Sequence, residues 1–243
     1  MGKRILVQRR GRGSPTFRAA THKRVAPAKY PNLSGINIMD RVLKGQILEL
    51  VHDPGRGAPL AYIELETGER YYTIAPEGIR EGQIIEVGGK ASINVGNILP
   101  VKVIPEGTVI CNIELSPGDG GKIARSSGSY ATIISHTPEG TMISLPSGKT
   151  RYVNDLCLAT IGVVAASGRT EKPFVKAGKR FHLMRAKGHK YPRVRGRAMI
   201  AALHPFGSGR RGARKPTTVS RNAPPGRKVG LIAAKRAGRK KRK

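Results

Sequence analysis

The stretch Thr108-Val109-Ile110-Cys111-Asn112-Ile113-Glu114-Leu115 places Val109, Cys111, Ile113 and Leu115 at every second position, with mainly polar Thr108, Asn112 and Glu114 between them. Successive side chains of an extended backbone point to opposite faces, so a period of two marks a strand with one face buried; an amphipathic helix would repeat its apolar residues every three to four. Cys111 therefore reads as core packing. Working outward, short runs rich in β-branched and aromatic residues recur at 46–52, 60–66, 70–75, 83–87, 98–103, 130–135, 141–145, 150–154 and 159–165, separated by Gly, Pro, Asp and Asn. Thr67-Gly68 and Ser147-Gly148 have the composition of hairpin turns. This spacing predicts an all-β body of small barrels or sandwiches. Pro100, Pro105 and the loop Pro105-Glu106-Gly107 interrupt the pattern near its midpoint and mark a junction at 104/105. Each half is then about 70 residues, too small to bury much surface alone, so the halves are expected to pack on each other or on a partner. No long helix is expected in the body, and a short one is expected at 228–237.

Charge divides the chain differently. All fifteen acidic residues lie between Asp40 and Glu171, whereas residues 1–35 hold nine Lys/Arg and residues 179–243 hold twenty-two, with no Asp or Glu in either. The middle, 36–178, has fourteen Lys/Arg against the fifteen acids, so the net charge of +30 belongs to the ends. Blocks of one sign repel themselves, and such ends are expected to stay unfolded until a polyanion neutralises them. The two cysteines, Cys111 and Cys157, form no CxxC pair, which argues against a disulfide framework or a cysteine zinc site and fits reduced thiols. No run approaches the ~18 apolar residues of a membrane span, and the first residues lack the apolar core of a secretory signal. A soluble, uncleaved chain is the expectation.

Motifs of catalysis fail their context tests. Gly207-Ser208-Gly209-Arg210-Arg211-Gly212 spells GxGxxG, but Pro205 precedes it and Lys215-Pro216 follows, where a dinucleotide site needs a strand before and a helix after. Gly148-Lys149-Thr150 resembles the end of a phosphate-binding loop, yet the glycine required five positions earlier is Ile143, leaving a turn with an exposed Lys149. The six histidines lack zinc-ligand spacing, so no metal and no cofactor are expected. His204 lies in Leu203-His204-Pro205-Phe206-Gly207 within a basic segment. It is either a solvated histidine or one that stacks on or hydrogen-bonds RNA. The core acids fall mostly on expected hairpins or exposed strand faces, and no Ser-His-Asp grouping forms. The runs Arg9-Arg10-Gly11-Arg12-Gly13 and Arg193-Val194-Arg195-Gly196-Arg197 pair forked phosphate donors with glycines that let the backbone approach closely; the plain alternative is a solvated charge run. A structural RNA binder, a DNA-architectural protein and a nucleic-acid enzyme all fit the composition, the last lacking any metal or paired-carboxylate set.

Four ordered motifs narrow this. Gly120-Gly121-Lys122-Ile123-Ala124-Arg125-Ser126-Ser127-Gly128-Ser129-Tyr130, Leu145-Pro146-Ser147-Gly148-Lys149-Thr150-Arg151, Ala159-Thr160-Ile161-Gly162, and Val194-Arg195-Gly196-Arg197-Ala198-Met199 with His204-Pro205-Phe206-Gly207 follow one another as in the universal second protein of the large ribosomal subunit, the L-two family, which the chain resembles over nearly its whole length. The start, Met1-Gly2-Lys3-Arg4-Ile5 with Arg10-Gly11-Arg12-Gly13, resembles the archaeal and eukaryotic branch. The resemblance implies an OB-fold-like barrel at 36–104, an SH3-like barrel at 105–178, a basic arm at 1–35 and a basic extension at 179–243 that runs toward the peptidyl transferase centre. It implies binding to large-subunit ribosomal RNA beside neighbouring ribosomal proteins, in the cytoplasm, with no enzyme activity, no membrane partner and no obligate homo-oligomer. The residues expected at the RNA are Arg9, Arg10, Arg12, Arg70, Lys122, Arg125, Lys149, Arg151, Arg193, Arg195, Arg197, His204, Arg210 and Arg211. Where the family carries an acid before the histidine this chain has Leu203, so no carboxylate is expected to orient His204, and its expected role is positional.

Overall fold

The computed structural model describes residues 2–31, 33, 39–207, 217–235 and 237. The chain forms two compact units, Thr21–Phe174 and a second made of Met1–Ala20 with Val175–Lys243.

The first unit is a body of ten strands: β1 (Val42–Val51), β2 (Leu60–Leu65), β3 (Arg70–Ile74), β4 (Ile84–Gly88), β5 (Ile98–Pro100), β6 (Val109–Cys111), β7 (Ala131–Thr137), β8 (Gly140–Ser144), β9 (Thr150–Val153) and β10 (Leu158–Ile161). They join in one sheet of order β3-β2-β1-β4-β5-β10-β6-β7-β8-β9, antiparallel except where β4 meets β5. Each expected run overlaps one of these strands, because β-branched side chains fit a pleated, half-buried surface. Two bulges interrupt the ladder. Leu48 is unpaired between Ile47 and Glu49, and Ile134 between Ile133 and Ser135. An extra residue of this kind bends its strand and adds twist, which lets a long sheet coil.

Alternation along two short strands divides the interior. On β5, Ile98 packs with Ile47, Ile63, Ile85 and Val87, whereas the next residue, Leu99, packs with Ile110, Ile133 and Ile143. On β10, Leu158 belongs to the first cluster, and Ala159 and Ile161 to the second. These strands are paired to each other through Leu158–Pro100, Ala159–Leu99 and Thr160–Ile98, so they form a seam shared by both cores.

The stretch 108–115 departs from the strict alternation expected of it. Ile110, Cys111, Asn112, Ile113 and Glu114 are all buried, while Leu115 is exposed. Asn112 adopts φ 49°, which ends β6 at Cys111, and the chain re-pairs through an isolated Ile113–Ile123 bridge. The core role expected of Cys111 is observed. Burial pushes the thiols of Cys111 and Cys157 up to about 12, and both are free. Two acids are also interior, against expectation. Glu114 accepts N–H bonds from Gly120 and Leu158, both at 2.9 Å, and from Gly118 at 3.2 Å, so backbone donors replace water around it. Asp53 is the other.

The basic ends differ from the expectation of unfolded threads. The second unit contains helices α1 (Leu6–Arg10) and α2 (Ala177–Ala186) and a small parallel pair, β11 (Thr218–Val219) with β12 (Leu231–Ile232). Among the described residues of 228–237 the expected helix does not form: Gly230 at φ 82° and Ala233 at φ 51° flank β12 with left-handed backbone that no α-helix continues through. No helix among the described residues is long and apolar enough to cross a membrane.

Candidate nucleic-acid interface

Among the described residues of the second unit few apolar side chains are buried, and the arm and the extension share one pocket. Lys3 N–H donates to the Ala202 carbonyl at 2.8 Å, and Ile5 is buried, lining with Leu6 and Val7 a pocket completed by Val194, Gly196, Met199 and His204. Ile5 N–H donates to Gln8 Oε1 at 3.1 Å, which starts α1, and Arg9 and Arg10 occupy its last turn, where the helix dipole favours cations. Arg9, Arg10, Arg12, Arg193, Arg195 and Arg197 are all exposed, with Arg193 and Arg195 at the edge of that pocket. This unit contains no Asp or Glu, so nothing inside it cancels their charge.

His204 is fixed from an unexpected quarter. The chain turns at Gly196–Ala198 and again at 200–204, where Leu203 and His204 N–H groups donate to the Ile200 carbonyl. Phe206 N–H then donates to His204 Nδ1 at 3.0 Å, and the two rings lie 5.2 Å apart. An accepting Nδ1 leaves the proton of the neutral imidazole on Nε2. Burial also holds the His204 pKa below its ordinary value, in favour of that neutral ring. Backbone geometry thus does the orienting for which the sequence offers no carboxylate. Space is made by two glycines. A Cβ on Gly196 would stand 2.3 Å from His204 Cε1, and one on Gly207 would stand 2.3 Å from the Ile200 carbonyl oxygen.

On the body, the candidate cations are in three different situations. Arg151 on edge strand β9 and Lys149 in the preceding turn are exposed, and Arg151 makes no ion pair among the described residues. Arg70 is exposed but its Nε donates to Glu64 Oε1 at 2.8 Å, across the β2–β3 register. Lys122 Nζ lies 3.2 Å from Asp119 Oδ2. Arg125 is half-buried and donates to the carbonyls of Ala28 at 2.6 Å and Gly121 at 2.7 Å, so its fork ties two loops together. Arg210 and Arg211 lie outside the described residues. No group of three potential metal ligands occurs among the described residues.

Three further cations escaped the sequence reading. Arg24, Arg56 and Arg169 meet Arg125 around the loop between β1 and β2, although they lie far apart along the chain. Isolated arginines in separate loops carry no local signal; only the glycines of Gly55-Arg56-Gly57 hint that something approaches that backbone.

Residues 3–87 match the family model described as Ribosomal Proteins L2, RNA binding N-terminal domain, and residues 94–228 match Ribosomal Proteins L2, C-terminal domain. The large ribosomal subunit protein uL2 of Methanocaldococcus jannaschii is 54% identical over 243 residues, covering 99% of this chain and 100% of that one. Its counterpart in Korarchaeum cryptofilum is 51% identical over 244 residues, covering 100% and 98%, and that of Halorubrum lacusprofundi is 53% identical over 240 residues, covering 98% of both. Matched along almost all of its length by two consecutive domains and by full-length archaeal relatives, the chain belongs to the ribosomal protein L2 family.

Proposed function

We propose that the chain is a structural constituent of the large ribosomal subunit, which binds the subunit's RNA and supports both assembly and the architecture around the peptidyl transferase centre. In this reading 36–104 is an OB-fold-like barrel and 105–178 an SH3-like barrel, together forming the body that docks, while the arm 1–35 and the extension 179–243 enter the RNA. The observation that carries it is the acid-free second unit, whose described arginines are all exposed around a small apolar centre. Such a surface is self-repelling until phosphates neutralise it, and released counterions then supply affinity. Arg9, Arg10, Arg12, Arg193, Arg195, Arg197, Lys149 and Arg151 are the phosphate contacts, and shape and irregular RNA pockets select the site. Arg70, Lys122 and Arg125 spend part of their donors on the protein and hold loops while facing RNA. His204 presents an Nε2–H donor to its surroundings and takes no part in proton transfer; the reading assigns the chain no catalytic step, no cofactor and no obligate self-association. The names of the uL2 relatives and the RNA-binding description of the N-terminal family model support it.

The test is sedimentation from cell extract. The full-length chain is expected to travel with large ribosomal particles and to be released by RNase but not by DNase. Release by DNase would favour a DNA-architectural protein, and a chain that stays at the top of the gradient would refute the reading.

A further inference from the structure

Arg24, Arg125 and Arg169, from three separate segments of the body, converge on Gly55-Arg56-Gly57 and its own Arg56. A Cβ on Gly55 would lie 2.6 Å from Arg24 Nε, and one on Gly57 would lie 2.5 Å from Arg169 Nε, so two guanidinium groups rest directly on the backbone at either side of Arg56. The central pair is anchored. Arg56 Nε is 3.2 Å from Oδ2 of the fully buried Asp53, and Arg56 Nη2 donates to the Ala26 carbonyl at 3.2 Å. Asp53 is itself held by Gly55 N–H at 2.9 Å, and Arg125 is fastened to the carbonyls of Ala28 and Gly121. Arg169 Nε donates to Ser127 Oγ at 2.8 Å. Arg24 and Arg169 remain exposed at the rim.

The charges do not balance. Burial lowers the pKa of both Arg56 and Arg125; for Arg56 the attraction of Asp53 opposes it and the weaker repulsion of Arg24 adds to it, while for Arg125 the repulsion of Arg56 adds to it. Asp53 forms an ion pair with Arg56, and Asp119, which faces Arg125, is engaged by Lys122. Arg56 Nη1 is buried without a hydrogen-bond partner among the described residues. A purely structural network would be expected to match such cations with acids, since an unpaired buried charge is costly. Guanidinium forks held in fixed orientation suit the oxygens of a phosphodiester.

Resting on the RNA-binding reading above, we propose that Arg24, Arg56, Arg125 and Arg169 form a phosphate clamp on the folded body, in which the exposed Arg24 and Arg169 grip the RNA backbone and the anchored Arg56 and Arg125 supply a fixed positive floor. The site includes neither Arg70 nor Arg151, and Arg24, although it lies within residues 1–35, belongs to the compact unit Thr21–Phe174.

The test uses the full chain and deproteinised large-subunit RNA as probe, with binding measured from 50 to 200 mM salt. For R24Q/R169Q the slope of log K against log salt is expected to fall by about 1.4–1.8, the loss of two phosphate contacts, with affinity at the lowest salt down about tenfold or more. R24K/R169K keeps the slope, and the control K90Q/K102Q, which removes two exposed lysines elsewhere on the body, leaves it unchanged. Phenylglyoxal modification of the wild-type chain gives a readout independent of any variant's folding: RNA is expected to protect Arg24 and Arg169. An unaltered slope in R24Q/R169Q, an equal loss in K90Q/K102Q, or equal reactivity of both arginines with and without RNA each overturns the clamp while leaving RNA binding intact. A wild-type chain without a steep slope refutes the RNA-binding reading and the clamp with it.

Discussion

Substituting Gly196 by alanine tests whether the imidazole of His204 is held by packing against bare backbone. The added methyl would stand 2.3 Å from Cε1, 2.4 Å from Nδ1 and 2.7 Å from Nε2, so it meets the ring along one edge. Comfortable carbon contacts begin near ~3.5 Å, and the ring must withdraw by about 1.2 Å from where Cε1 now lies. A side chain can make that movement, but not while Nδ1 keeps its 3.0 Å bond from Phe206 N–H. Overpacking typically costs about 1–3 kcal/mol and a lost hydrogen bond about 1 kcal/mol, so local opening at Phe206 should become easier by about 2 kcal/mol or more. Amide hydrogen exchange on the full-length chain reads this directly. The Phe206 amide is expected to lose about 30-fold of its protection, since 1.4 kcal/mol is a factor of ten. Nitrogen chemical shifts of His204 should change at the same time from a pure Nε2–H tautomer to a mixture of tautomers. Unchanged Phe206 protection together with an unchanged tautomer would refute the reasoning, because it would mean that the ring never depended on the missing Cβ.

Gly207→Ala is expected to be the more damaging of the two substitutions, because its Cβ meets the Ile200 carbonyl at 2.3 Å and backbone cannot swing aside as a ring can; exchange protection should fall through the whole 200–207 turn. Arg151→Ala should weaken RNA binding by about 1.5–3 kcal/mol in a filter-binding titration, the range for hydrogen bonds to charged groups. Arg70→Ala should have the smaller effect on binding, since Glu64 already occupies its Nε. Acid should loosen the 115–122 loop. Burial pushes the Asp119 carboxyl up, but N–H donors from Ser116, Leu115 and Gly121 and the Lys122 ammonium outweigh it and hold the pKa below its ordinary 3.8. A depressed carboxyl contributes stability that is complete above the ordinary value and lost as pH falls through the folded one. Thermal melts should therefore show wild type more stable than D119N at pH 6, with the gap closing below about pH 4; a gap independent of pH would contradict this.

The strands were legible because their signal is local. Val, Ile and Tyr crowd a half-buried pleat, and turns such as Thr67-Gly68 and Ser147-Gly148 bound them, so ten runs became ten strands. What escaped depends on partners distant in sequence or on the backbone. Glu114 sits at an apparently outward position of its run, yet the loop 118–120 folds over it with three amide donors shared between that loop and Leu158. Helix α2 carries no apolar stripe and no buried residue, so its ten residues read as part of a charge run. Orientation of His204 comes from an amide hydrogen, which every residue but proline possesses and no side-chain pattern announces. Pairing of the basic ends was missed because charge density masked the scattered Ile5, Leu6, Val194 and Met199 that they share. The arginine clamp is assembled from four separate segments, and only its glycine floor is contiguous.

The bond from Lys3 to Ala202 has a consequence for how the protein is born. A ribosome makes the arm first and its partner segment almost last, and at about 5–20 residues per second the interval is roughly 10–40 s. Throughout that time Ile5 has no apolar companion, and a cluster of arginines is displayed beside nascent and mature RNA alike. The body can close in the meantime, since its final strand, β10, is complete by Ile161. The newborn chain is therefore a finished β-body with an unmated cationic leader until residues 193–204 arrive.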